Sequence, residues 1–126
     1  MNYKLSVLLL IGFLVTCFFE TIAFANKSSV SIEVPESVMK GSEIIIKINV
    51  EHNSNSTFHY TKWVYVTIKG KEIARWDYSW RKRPEGKNFS KEITYTVNEP
   101  IEIVAEASCN THGSEGKVVK TVSVKE

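Results

Sequence analysis

Residues 43–50 read Glu43-Ile44-Ile45-Ile46-Lys47-Ile48-Asn49-Val50, and Ile44, Ile46, Ile48 and Val50 fall on one side of a two-residue period. That period describes an extended chain with one buried face; on a helix the same residues would scatter around the axis. Runs rich in β-branched and aromatic residues follow at 63–68, 73–78, 89–97, 101–107 and 118–124, and another precedes at 30–34. Between them stand turn-forming residues: Pro35, Lys40-Gly41-Ser42, Lys69-Gly70-Lys71, Pro84-Glu85-Gly86, Asn98-Glu99-Pro100 and the stretch 113–116. No helical periodicity of useful length occurs after residue 25.

About seven short strands in roughly a hundred residues predict an all-β fold, an immunoglobulin-like antiparallel β-sandwich. The Cys-Trp-Cys signature of true immunoglobulin domains is absent, so the likeness is one of architecture. Residues 64–73 predict a hairpin closed by a glycine-containing turn at Lys69-Gly70. Trp76, Tyr78 and Trp80 alternate, and either pack along a strand or form an exposed aromatic patch, with packing the expected outcome.

The N-terminus follows different rules. Lys4 precedes an apolar run over residues 5–19, and the segment then ends Ala23-Phe24-Ala25. A basic start, an apolar stretch and a small-x-small end predict a secretory signal peptide over residues 1–25, cleaved after Ala25. The run is short for a membrane span and no stop-transfer cluster follows it. A lipoprotein reading places Thr16 where a smaller residue is wanted before Cys17. The expected product is one secreted or periplasmic domain spanning residues 26–126. A net charge of +2 gives no reason to expect nucleic acid or an acidic membrane surface as partner. Arg81-Lys82-Arg83 reads as a solvated loop.

Of the 2 cysteines, Cys17 leaves with the leader and Cys109 stays alone. In an oxidising compartment a lone thiol implies intermolecular pairing, burial as a small hydrophobe, or metal ligation. All 3 histidines fall in the domain, each beside a loop. His52 and His59 flank a polar stretch between two strands, and Cys109-Asn110-Thr111-His112-Gly113 follows another strand. Singly, such residues are ordinarily a solvated imidazole or a core thiol. Confinement of every histidine and the one remaining cysteine to two loops points to His52, His59, Cys109 and His112 as metal ligands. Cys-x-x-His lets one tight turn deliver a thiolate and an imidazole, and Gly113 permits the bend. The donor set suits iron, zinc or copper and disfavours oxygen-seeking magnesium and calcium.

At these residues the sequence resembles the iron-binding domain of desulfoferrodoxin and the single-centre superoxide reductases, the neelaredoxins. The matching pieces are His52, His59-Tyr60-Thr61-Lys62-Trp63-Val64, Gly70-Lys71-Glu72-Ile73 and Cys109-Asn110-Thr111-His112-Gly113. The resemblance implies one mononuclear iron (Fe2+/Fe3+) with Cys109 as axial thiolate and His52, His59 and His112 as equatorial ligands. It implies reduction of superoxide to hydrogen peroxide by an external electron donor. The family takes a further histidine from upstream, beside a Glu-Lys pair, whereas no histidine precedes His52 here. Water, a carboxylate such as Glu51, or nothing stands in its place. Asn53 replaces the family's proline, six residues separate His52 from His59 where five are usual, and Ser114 and Glu115 follow the His-Gly. The stretch 32–41 also resembles the sulfur-oxidation carrier subunits, which share a related sandwich.

Two readings of function follow: a superoxide reductase-like oxidoreductase, or a non-catalytic iron-binding or electron-transfer module. A blue-copper site is a third, weakened because Met1 and Met39 both lie far upstream of His112. Zinc as a structural occupant is a fourth.

Overall fold

The structure, a computed structural model, describes residues 26–126. The leader predicted over residues 1–25, Cys17 included, lies outside the described residues. Eight strands follow one another: β1 Ser29–Glu33, β2 Ser37–Met39, β3 Ser42–Glu51, β4 Thr61–Ile68, β5 Lys71–Asp77, β6 Phe89–Val97, β7 Ile101–Cys109 and β8 Val118–Lys125. They form a three-stranded sheet in the order β1-β3-β6 and a five-stranded sheet in the order β2-β8-β7-β4-β5. The expected all-β sandwich is the fold. No helix among the described residues is long and apolar enough to cross a membrane.

The alternation in β3 organises the core. Ile44, Ile46, Ile48 and Val50 are 6%, 0%, 0% and 1% exposed, whereas Ile45, out of phase, is 57% exposed. Across the sandwich they share one apolar cluster with Val64, Val66 and Ile68 of β4, Ile101, Ile103, Ala105 and Ala107 of β7, and Val122 of β8. Each large aliphatic side chain so buried contributes about 1.5–3 kcal/mol of hydrophobic stabilisation. Trp76 and Tyr78 pack against the margin of this cluster. Trp80, past the end of β5, is 51% exposed, so the alternating aromatics divide between packing and surface.

The strand without a counterpart in the sequence pattern is β2. It has 3 residues, too few to display a period. Pro35 has no N–H for a ladder and separates β1 from β2, at the point where the chain passes from one sheet to the other. Because the chain keeps its direction through the crossing, β2 pairs with β8 in parallel, through Ser37↔Ser123 and Val38↔Val124. All other pairings between these strands are antiparallel. The predicted hairpin is β4–β5. Lys69 and Gly70 both have positive φ, 54° and 79°, the geometry of a two-residue type I′ turn.

Three features bring the ligand candidates to one end. β3 delivers His52 from the three-stranded sheet, and the following loop crosses to β4 in the five-stranded sheet. β7 runs beside β4 with Thr61 opposite Cys109. A register shift between Thr61 and Trp63 marks a bulge at this margin, a device that re-aims neighbouring side chains.

Candidate metal centre

Strand alternation separates Glu51 from His52. Val50 and His52 turn inward while Glu51 is exposed and stands outside the group of neighbouring metal-ligating side chains. His52 is 6% exposed and Cys109 4% exposed. The ligand atoms of His52, His59 and Cys109 all lie within 4.8 Å of one another, and this group of possible metal ligands contains no carboxylate. A single ion bonded at about 2.0–2.3 Å spans such a group after a small inward rotation of the imidazoles.

His112 stands outside that trio but touches it. Its Nδ1 lies 3.1 Å from Nε2 of His59, and the two rings are 4.8 Å apart at an interplanar angle of 70°. Nitrogens bonded at about 2.0–2.1 Å to one ion and subtending 90° to 109° are about 2.9–3.4 Å apart, so this contact has the length of a coordination edge. The His52 and His59 rings meet edge-on with centroids 4.6 Å apart. His112 is solvent-exposed and His59 half-buried, so the cluster is open to water at His112.

The surrounding polar groups orient each ring and the thiol. His52 Nδ1 lies 2.7 Å from the Ser54 carbonyl and Nε2 lies 3.1 Å from the Asn26 carbonyl. A neutral imidazole has one N–H. Donation along the shorter contact, to Ser54, leaves the Nε2 lone pair facing the cluster, the arrangement by which a carbonyl typically fixes a metal-binding imidazole. Burial, followed by the neighbouring His52 ring, holds His59 below the ordinary histidine pKa, while the Asn26 main chain opposes them. That shift favours the neutral, ligating form.

Cys109 is a free, buried thiol. The Thr111 amide donates to its Sγ at 3.5 Å, and Thr111 Oγ1 lies 3.4 Å away. Amide donors favour the thiolate that binds metal. The loop then closes on itself, with the Cys109 N–H donating to the Gly113 carbonyl at 2.9 Å. Gly113 has φ 85°, a conformation that side chains with a Cβ rarely adopt.

Asn110 is visible in the sequence only as a letter in the Cys-Asn-x-His-Gly motif, and its work is structural. Its Nδ2 donates to the Phe58 carbonyl at 3.0 Å and its Oδ1 accepts from the Tyr60 N–H at 3.0 Å. The two bonds grip the main chain on both sides of His59. The Asn110 amide also donates to the Tyr60 carbonyl at 3.0 Å. The carbonyls of Ser54 and Asn26 carry no side-chain signal and could not be read ahead of the fold.

The model of the family described as desulfoferrodoxin matches residues 20–115. The chain belongs to the desulfoferrodoxin family. Among solved structures, a superoxide reductase (neelaredoxin) from Ignicoccus hospitalis is similar with a TM-score of 0.67 at 19% identity, over 82% of this chain and 86% of that one. The sulfur carrier protein SoxY from Chlorobium limicola f thiosulfatophilum is similar at TM-score 0.58 and 12% identity, over 77% and 79% of the two chains. A CARDB domain from Pyrococcus furiosus is similar at TM-score 0.59 and 18% identity, over 78% and 87%. At these identities the likeness establishes the sandwich. No curated protein matches the chain. The donor set of the family member in hand, one thiol with neighbouring imidazoles, fits a transition metal such as iron and does not fit magnesium or calcium.

Proposed function

We propose that this chain is an exported mononuclear iron protein that reduces superoxide to hydrogen peroxide with an electron from an external donor. The observation that carries the reading is the convergence of Cys109, His52 and His59 within 4.8 Å, with His112 3.1 Å from His59. Membership of the desulfoferrodoxin family and the sandwich shared with a protein named superoxide reductase support it. Iron, when bound, supplies one-electron redox chemistry and a positive centre for a small anion. The reaction consumes superoxide, one electron and two protons.

The chain's residues have separable parts in this. Cys109 supplies a thiolate from the buried side, stabilised by the Thr111 N–H. His52, His59 and His112 supply neutral imidazoles, with His52 oriented by Ser54. The exposed flank at His112 admits a small anion and lets water deliver protons. The electron donor is a separate molecule, and nucleic acid is not a partner in this reading.

A second reading, iron binding without turnover, has one observation in its favour: no histidine precedes His52, so the imidazole set is one short of its family. Metal analysis after anaerobic purification, with absorption spectra of wild type and Cys109→Ser, tests the centre. Iron with a thiolate-to-metal band that disappears in the variant is expected; copper with an intense blue band overturns it. Pulsed superoxide over the ferrous protein then separates the readings. Rapid peroxide production supports the reductase; a reaction no faster than that of a generic iron complex leaves the binding module.

A further inference from the structure

The site is one imidazole short of its family, and Asn26 lies beside it. The Asn26 carbonyl oxygen lies 3.1 Å from His52 Nε2, yet His52 Nδ1 is already committed to Ser54 at 2.7 Å. In the neutral tautomer that donates from Nδ1 to Ser54, the Nε2 lone pair faces the Asn26 oxygen. At 3.1 Å the two atoms are also separated by the length of a coordination edge, so one ion can bond to both.

The segment bearing Asn26 is held against both ligand loops. Asn53 Nδ2 donates to Asn26 Oδ1 at 2.6 Å, on the loop after His52. Two residues on, Ser28 is 0% exposed, and its hydroxyl pairs with that of Thr61 at 2.8 Å. The Ser28 N–H donates to the Gly113 carbonyl at 3.3 Å and its carbonyl accepts from Glu115 at 3.0 Å, beyond His112. Residue 26 is thus placed by the same loops that place the imidazoles.

We propose that Asn26 completes the metal site as the processed N-terminus, chelating the ion through its freed α-amine and its main-chain carbonyl. The inference rests on the iron-centre reading above and on cleavage after Ala25. Inside a peptide bond the nitrogen lone pair is delocalised and residue 26 offers only its oxygen. Hydrolysis by a leader peptidase adds water across the Ala25–Asn26 bond, leaving a carboxylate on Ala25 and an amine on Asn26. That amine is joined to the carbonyl through Cα and the carbonyl carbon, so both atoms close a five-membered ring on one ion. The Asn26 side chain is not a ligand, being engaged with Asn53. Full assembly of the site then waits for export, and the precursor holds iron less tightly than the product.

The test compares two exported proteins expressed from full-length precursors: wild type, and a variant with Gly-Ser inserted between Ala25 and Asn26. Mass spectrometry of the wild type is expected to show Asn26 as the first residue; any other start overturns the proposal. Fe(II) affinity is then measured by chelator competition, and the ferric form by electron paramagnetic resonance. The insertion is expected to weaken Fe(II) binding by at least about tenfold, no less than loss of an outer-shell partner does, and to change the ferric spectrum. Equal affinity and spectra in wild type and insertion variant, with the thiolate band present in both, overturn the chelate and leave the iron centre standing. Absence of the thiolate band from both overturns the iron centre itself and the chelate with it. Matching thermal unfolding of the metal-free proteins guards against a folding defect as the cause.

Discussion

Asn110 Oδ1 accepts the Tyr60 N–H at 3.0 Å, and the same side chain donates to the Phe58 carbonyl, so one amide brackets His59 on both sides. Asn110→Ala removes both bonds and also the 3.7 Å contact that the Cys109 thiol donates to Asn110 Oδ1. Metal affinity is expected to fall about 10- to 100-fold, as for other outer-shell partners, by Fe(II) or Zn(II) competition. Asn110→Asp keeps the acceptor for Tyr60 and loses the donor to Phe58, and is expected to fall between.

Gly113 adopts φ 85° in open space, with no neighbouring atom within 4 Å of the point where a methyl group would project. Gly113→Ala therefore meets backbone strain rather than a clash, at about 1–2 kcal/mol. Urea unfolding of the metal-free protein measures it. Gly113→Asn is expected to recover part of the loss, because Asn tolerates the left-handed region.

Ile46 is fully buried in the centre of β3. Ile46→Ala is expected to destabilise the domain by about 2–5 kcal/mol in chemical denaturation. Ile45→Ala, one residue along and 57% exposed, is expected to change stability by less than about 0.5 kcal/mol.

Burial, and then the 2.8 Å hydrogen bond it donates to Glu106, push the Tyr65 pKa up to about 12. Because the folded value exceeds the ordinary 10.0, folding favours the protonated phenol. Its contribution to stability is complete below pH 10 and is lost as pH rises through about 12. Tyr65→Phe is expected to flatten the stability profile in that window. Absorbance of phenolate in the folded protein checks the late titration directly.

The sandwich is legible in the sequence because its signal is local. Ile44, Ile46, Ile48 and Val50 announce a buried face by spacing alone, and Lys69-Gly70 announces a turn. β2 is not, since a three-residue edge strand carries no period and its parallel pairing depends on the path taken after Pro35. The four ligand candidates are legible as residue types on two loops. What they rely on is not: Ser54 and Asn26 act through carbonyls that every residue possesses. The outward turn of Glu51 beside an inward His52 follows from one count along the strand.

The two sheets contribute unequally to the cluster, and this has a mechanical meaning. His52 leaves the three-stranded sheet, while Cys109 leaves the five-stranded one. An ion held by both is a clasp across the mouth of the sandwich, added to the apolar core that joins the two layers. Prying the layers apart from this end requires breaking metal–ligand bonds first, so a loaded domain should yield last at its mouth and an empty one first.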